Sequence, residues 1–338
     1  MAGYTEISLL NFTEFADTTN RLYIKGDQLV DDLSAAKSLF MEESIPNGTG
    51  DRRVYTEIDP ETYAHIKAEG ADAMKTSVIS GYSKTITARR FAAEIDITYE
   101  ARSFGKNQEI IKKLTSLATF IPQRLALDLT HRITFATATS YTDMDGETVD
   151  TTVGDTLALV SASHTVTSAA TTYSNVITGN PVFSPGGLEV AMGQGNTQIL
   201  SNFGERRVMN FNTVVTGDDP ATIRTVKELL NSTSDTTGNN SGVVNVYKGM
   251  FTHVILPRLA TTATGAYDST KAKYWAYVAK GEWEAHLAMW EQANLKMPTT
   301  TNNGEDIHND DWTFGTRGTY GIAVVSPKGF LLSTGLGA

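Results

Sequence analysis

The sequence predicts an α+β protein, and three observations lead to that class. Apolar residues recur at steps of three and four along one long segment, from Ile110 to Ala136. Elsewhere they alternate with period two, as at Ile95, Ile97 and Tyr99, or gather in a short closing run, Tyr320 to Leu332. The composition is that of a packed globular chain, 40% hydrophobic, 20% charged and 9% aromatic, so an interior can offset the entropy of ordering.

At 338 residues the chain is long enough for roughly two compact units. It has no cysteine, which excludes disulfides, thiolate metal sites and a cysteine nucleophile together. Lys and Arg number 28 against 38 Asp and Glu, a net charge of −10, which argues against a protein whose main affinity is for phosphates. No stretch approaches the ~20 apolar residues that span a bilayer, and Met1 to Glu6 lack the basic start of a signal peptide. A soluble protein in a cytoplasm-like setting, with no membrane partner, is expected.

The elements follow in order. Up to about Asn47-Gly48 the chain mixes short apolar groups with one helical pattern, Leu29, Leu33, Ala36 and Phe40. Such a leader either packs along the body or reaches a neighbouring subunit, because a lone amphipathic turn is marginal in water. From Arg52 to Tyr99 the pattern is β: Val54 to Ile58, Val78-Ile79, a turn signal at Ser80-Gly81, then Ile86 to Tyr99. A long hairpin is expected. Asp59-Pro60-Glu61 with Gly70 reads as cap, first-turn proline and stop, so a short helix should interrupt the hairpin. A ribbon this poor in apolar residues cannot bury a face by itself and should lie on something else.

Asn107 opens the strongest element, a long helix whose stripe is Ile110, Leu114, Leu117, Ile121, Leu125, Leu129, Ile133 and Ala136; Pro122 removes one donor and should bend it. From Ile133 to Glu205 there is no Lys or Arg, while Asp143, Asp145, Glu147, Asp150, Asp155, Glu189 and Glu205 all fall there. Further on, Ser184-Pro185 and Asp219-Pro220 cap helices, the latter running to Leu229-Leu230. Val243 to Leu259 reads as a strand pair, Trp275, Tyr277, Trp283 and Trp290 mark an aromatic-rich region, and Tyr320 to Leu332 is a strand with a Ser-Pro-Lys-Gly turn.

Signatures of catalysis are missing from this pattern. The histidines, His65, His131, His164, His253, His286 and His308, form no HExxH or other short ligand pair. Gly81 to Thr85 lacks P-loop spacing, Gly187 to Gly195 is not GxGxxG, and in Phe183 to Gly187 proline follows the serine where a nucleophile elbow needs GxSxG. Asp143, Asp145, Glu147 and Asp150 offer oxygen ligands at near-alternate positions, but without the glycine and terminal Glu of an EF-hand, so a solvated acidic loop is the expectation and a divalent ion the alternative. Neither a cofactor nor a catalytic residue is assigned. Arg52-Arg53, Arg89-Arg90, Lys112-Lys113 and Arg206-Arg207 are separate doublets rather than a joined groove, better suited to the acidic surface of a neighbouring copy than to nucleic acid.

Taken in sequence, these parts resemble the major capsid protein of tailed bacteriophages, the shell fold of the Hong Kong 97 type. The resemblance covers nearly the whole chain as an order of elements. An arm comes first, then a hairpin ending in Ala93 to Glu100, then a spine-like helix with Phe120-Ile121-Pro122 and Asp128 to Arg132. Asn210 to Pro220, Glu228 to Ser232, Val246 to Gly249 and Val254 to Leu259 follow, and Tyr320 to Gly329 closes the chain. It implies an N-terminal arm at 1–48, an extended loop at 49–100, and a peripheral domain with the spine helix at 101–140. An axial domain would span 141–318, with some strands assignable to the peripheral domain, and 319–338 would return to the latter.

By the same resemblance the chain would form hexamers and pentamers of an icosahedral shell, assembled in a bacterial cytoplasm. The shell would enclose double-stranded DNA without reading its sequence, its inner wall negative. Scaffolding, portal and decoration proteins are the implied partners; the leader is too short for a fused scaffolding segment, so a separate scaffold or prior removal stays open. Interface residues expected on this reading are Arg52, Arg53, Tyr82, Lys84, Arg89, Arg90, Lys112 and Lys113, with Pro122 a point of bending between precursor and expanded shells. The alternatives are a non-viral compartment shell of the same fold and a metal-dependent hydrolase built on Asp143, Asp145 and Glu147.

Overall fold

A computed structural model describes residues 30–46, 48–60, 63–75, 78–104, 107–234, 244–297 and 311–337. The fold is α+β. One four-stranded sheet has the order β1 (Met41–Ser44), β12 (Ala285–Lys296), β13 (Trp312–Val324), β4 (Arg89–Ile97). A second has the order β10 (Thr252–Ile255), β9 (Thr213–Thr216), β11 (Trp275–Val278), β14 (Phe330–Ser333). Three two-stranded pairs complete the described strands: β2 (Arg52–Pro60) with β3 (Val78–Thr87), β5 (Ser140–Thr142) with β6 (Thr148–Asp150), and β7 (His164–Thr165) with β8 (Thr172–Tyr173).

The long helix spans Asn107–Thr134 and runs unbroken through Pro122. Every member of its expected stripe, from Ile110 to Ala136, is buried. Its first half packs Ile110, Leu114 and Leu117 on Ile97, Trp312 and Phe314 of the first sheet. Its second half, through Leu125, Leu129 and Ile133, joins the largest apolar cluster with Val215, Leu287, Tyr320 and Phe330. The stripe is thus long because it serves two clusters in succession.

Of the leader, residues before Val30 lie outside the described residues. The rest packs on the body: a helix, Asp31–Lys37, buries Leu33 and Ala36, Phe40 follows them into the largest cluster, and β1 pairs in parallel with β12. Two proline-led helices form as expected. Ser184 accepts the Gly187 N–H ahead of Pro185–Thr197, and Asp219 accepts the Thr222 N–H ahead of Pro220–Asn231.

Several expectations fail, each for a tertiary reason. No helix occurs among the described residues 63–75; Asp59 and Pro60 end β2 in register with Ile79 and Val78. Ser80-Gly81 is no turn but the interior of β3. A Cβ on Gly81 would lie 2.4 Å from Asn202 Nδ2 and 2.7 Å from Glu57 Oε2, so close approach rather than a bend requires glycine. The strand expected from Ile86 to Tyr99 breaks at Ala88, β3 joining the ribbon and β4 pairing with β13; Tyr99 begins a short helix, Tyr99–Ser103. Within 243–259 one described strand, β10, forms and pairs with β9 rather than with a neighbour in sequence. The closing segment divides: Tyr320 to Val324 belong to the first sheet and Phe330 to Ser333 to the second, with the Ser-Pro-Lys-Gly turn crossing between them.

Candidate subunit interface

The β2–β3 ribbon has two unlike faces because side chains alternate along a strand. Tyr55, Glu57 and Asp59 point to the body, whereas Val54, Thr56 and Ile58 are exposed. At the base the inward face is apolar. Ile86 packs with Ile45, Ala288 and Ala323, and Tyr55 stacks on His286 with ring centroids 4.1 Å apart. Tyr55 also donates to Glu43 at 2.5 Å; burial and that carboxylate push its phenol up to about 12.

Further along, the inward face is ionic. Lys328, from the turn between the two sheets, lies 2.7 Å from Glu57 Oε1 and 3.0 Å from Asp59 Oδ2, and it donates to Asn202 Oδ1 at 3.0 Å. Arg207 donates to Asp59 Oδ1 at 2.7 Å and the Asn202 N–H to Oδ2 at 2.9 Å. The Lys328 and Glu57 side chains are 4% and 2% exposed, so this is a desolvated cluster, tolerable only because charges and lone pairs are matched. Burial would raise the Asp59 carboxyl, but the Lys328 charge and the Asn202 N–H outweigh it and hold it below its ordinary range. Nearby Glu284 is pushed up to about 7 by burial and the Glu57 charge, against the weaker pull of Arg207 and Lys328.

The interface residues expected from the sequence divide into two groups. Several are engaged within the chain: Arg53 with Glu43 at 2.9 Å, Lys84 with Asp150 at 2.5 Å and Thr152 at 2.6 Å, Arg89 with Asp143 at 2.9 Å, and Tyr82 with the Thr165 hydroxyl at 2.8 Å. Lys113 lies 3.9 Å from Glu109. Arg52, Arg90 and Lys112 are exposed, and Pro122 is buried.

Of the acidic stretch, Asp145, Glu147 and Asp150 are exposed as expected of a solvated loop, and Asp143 departs from it. Asp143 is buried; its Oδ2 accepts from both Arg89 and Arg124 at 2.9 Å, and its Oδ1 from the Asp145 and Glu147 N–H groups at 3.0 Å. Against burial, these donors keep its carboxyl below the ordinary range. Arg124 reaches Asp128 at 3.0 Å and Asp145 at 2.8 Å, and the Tyr320 hydroxyl donates to Asp128 at 2.8 Å. A segment without cations thus takes them from the ribbon, β4 and the long helix. Asp143 has four donors on two oxygens, so the arrangement ties elements together rather than presenting an open ligand face. Among the described residues no group of three or more His, Asp and Glu is placed to hold a metal ion.

Beyond the ionic cluster none of the described residues covers the far end of the ribbon. Residues 63–75 are exposed throughout, Ile66 completely, together with Tyr63 and Met74; Val54, Ile58 and Val78 are more than half exposed on the strands leading there. Sequence reasoning missed Glu57, Lys328, Arg207 and Asn202 as the anchor of this ribbon. No local spacing connects them, and their only common trait is that folding buries them together.

No protein-family model matches the chain, and no curated protein matches it. Solved structures similar to it include the capsid of the cyanophage P-SCSP1u, 10% identical with a TM-score of 0.48 over 87% of this chain and 85% of that one. The mature capsid of bacteriophage PhiM1 is 11% identical with a TM-score of 0.48 over 88% and 85% of the two chains. A virus-like particle from Pyrococcus furiosus is 11% identical with a TM-score of 0.46 over 94% and 97%. Among the described residues no helix is long and apolar enough to cross a membrane.

Proposed function

We propose that this chain is a structural shell subunit, the major capsid protein of a tailed bacteriophage, which assembles with itself into hexamers and pentamers around double-stranded DNA. The observation that carries this reading is the ribbon: its base is locked into the body while its outer face and far end hold Val54, Ile58, Tyr63, Ile66, Met74 and Val78 in solvent. Several large apolar side chains exposed on one projecting element mark an interaction site. The element order read from the sequence supports the same conclusion, and the paired state of Asp143 and Asp145 favours a structural over a catalytic role. On this reading the subunit resides in the virion after assembly in the host cytoplasm, with scaffolding, portal and decoration proteins as further partners.

The test is electron microscopy and sedimentation of the purified full-length chain, with and without a scaffold. Capsomers or closed shells are expected. A protein that stays monomeric under every condition tried would remove the basis for the reading.

A further inference from the structure

Arg132, in the last turn of the long helix, lines a pocket of about 290 Å³ between β3, β6 and β13. At ~30 Å³ per water that is room for a small ligand with part of its hydration shell. The Arg132 Nη1 donates to the Asp150 backbone carbonyl, while its Nε is buried without a hydrogen-bond partner. Among the described residues no carboxylate lies within ion-pair distance of it, so the Nε–Nη2 edge, which matches two oxygens of one oxyanion, is unused. Burial holds its pKa below the ordinary range, and the pull of Tyr141, Asp128 and Asp150 does not offset it. The other charges near it are matched. Asp150 accepts from Lys84 at one oxygen and from the Thr152 N–H and hydroxyl at the other, and Arg89 is taken by Asp143. Arg132 is then the cation of this pocket without a counter-ion, a costly state for a charge withdrawn from water.

The rest of the lining says which anion fits. Thr85, Thr87 and Thr148 bring hydroxyls, and the exposed Glu147 brings a carboxylate. A carboxylate ligand would spend both its oxygens on the guanidinium edge, whereas a tetrahedral oxyanion keeps two more for the other groups. We propose that this pocket binds a hydrogen phosphate group: two oxygens on the Nε–Nη2 edge of Arg132, a third accepting from a threonine hydroxyl, and the protonated oxygen donating to Glu147. Glu147 makes the site selective. Sulfate carries no proton at neutral pH and sets a bare oxygen against that carboxylate, and a phosphodiester has the same defect, so the interior of a nucleic-acid strand does not qualify. Bound phosphate would join the end of the long helix to β6 and to β3, so occupancy stabilises the seating of the ribbon.

The experiment measures the melting temperature and binding calorimetry of the full-length chain with sodium phosphate, sodium sulfate, dimethyl phosphate and sodium chloride at matched ionic strength. A saturable rise with phosphate is expected, with sulfate and dimethyl phosphate about tenfold weaker or more. Arg132→Lys, which keeps a charge and loses the fork, should weaken phosphate about tenfold. Glu147→Gln should keep phosphate binding and bring sulfate within about threefold of it, because the amide can donate to a bare oxygen. Glu147 is exposed, so this variant keeps the test valid should Arg132→Lys not fold. Equal responses to all four salts, an Arg132→Lys variant that binds like the parent, or an unchanged preference in Glu147→Gln would each overturn the proposal. A nucleoside monophosphate separates two sources of the same group: tighter binding than inorganic phosphate upholds the site with a phosphomonoester as ligand, and weaker binding upholds it for the free ion.

Discussion

The two ends of the β2–β3 ribbon share the same strands and have opposite surroundings. At the base, Glu57, Asp59 and Ile86 are buried against Lys328, Arg207 and a small apolar cluster; at the far end, Tyr63 and Met74 are mostly exposed and Ile66 is fully so. A two-stranded ribbon is marginal on its own, so its orientation depends on the base. The difference teaches that this element is fixed by matched buried charge at one end and left to find its apolar partners at the other.

The largest expected effect comes from breaking the base. Lys328→Met leaves Glu57 with the neutral Ser326 hydroxyl at 3.2 Å and one described cation, Arg207, 3.8 Å away, and deprives Asp59 of one of its two cations. A loss of about 3–5 kcal/mol is expected in urea denaturation, with faster proteolysis within the ribbon, because an uncompensated buried carboxylate is worse than no pair at all. A small change in both would mean that the ribbon is held by its apolar contacts instead.

The ribbon base and the body respond to acid in different pH ranges. His131, buried against the second sheet's loops, has its pKa lowered from 6.5 to about 4 by burial and the Lys271 charge. Between those values the unfolded chain binds a proton that the folded chain refuses, so stability falls as pH drops from 6.5 toward 4, by roughly 3 kcal/mol. Asp59 behaves differently. Its folded pKa is depressed below 3.8, so its contribution is intact above that value and is lost only as pH falls through the folded one. His131→Gln should therefore reduce the slope of the stability profile between pH 6.5 and 4, the share of His253, likewise lowered to about 4, remaining; an unchanged slope would exclude this assignment.

Gly81→Ala probes the closeness of the base. Its methyl group would meet Asn202 Nδ2 and Glu57 Oε2 well inside contact distance, so a loss of about 1–3 kcal/mol is expected in thermal or urea unfolding. The smallest effect on the monomer belongs to the far end. Ile66→Ser should change subunit stability by less than about 0.5 kcal/mol and still reduce assembly, because the side chain touches nothing in its own chain. Equal losses in stability and assembly would show that the far end packs on its own subunit.

The Asp-Pro pair occurs twice and shows how far local reading reaches. At Asp219-Pro220 the carboxylate accepts the Thr222 N–H and a helix follows; at Asp59-Pro60 the same signal sits at the end of a strand, its carboxylate taken by Lys328 and Arg207. Both sites offer the same local capping chemistry, and at the second two distant cations donate hydrogen bonds to the carboxylate directly. Likewise Gly81 reads as a turn because glycine usually marks one, while its actual constraint comes from Asn202, far along the chain. Of the candidate interface, the basic residues were legible as doublets, but not that Arg89 would be spent on Asp143 and Lys84 on Asp150, since the cation-free acidic stretch reveals its need for partners only when folded around them.

What the sequence by itself determined is the periodic part: the long helix with its full stripe, the two proline-led helices, and a ribbon too poor in apolar residues to stand alone. These follow from interactions within a few residues, where spacing dictates which side chains share a face. Only the tertiary structure decided which strands pair, that the closing segment divides between two sheets, and that Lys328 returns to anchor the ribbon. Those outcomes depend on desolvating charges that meet only after the chain has closed on itself, and no local pattern records which of them will meet.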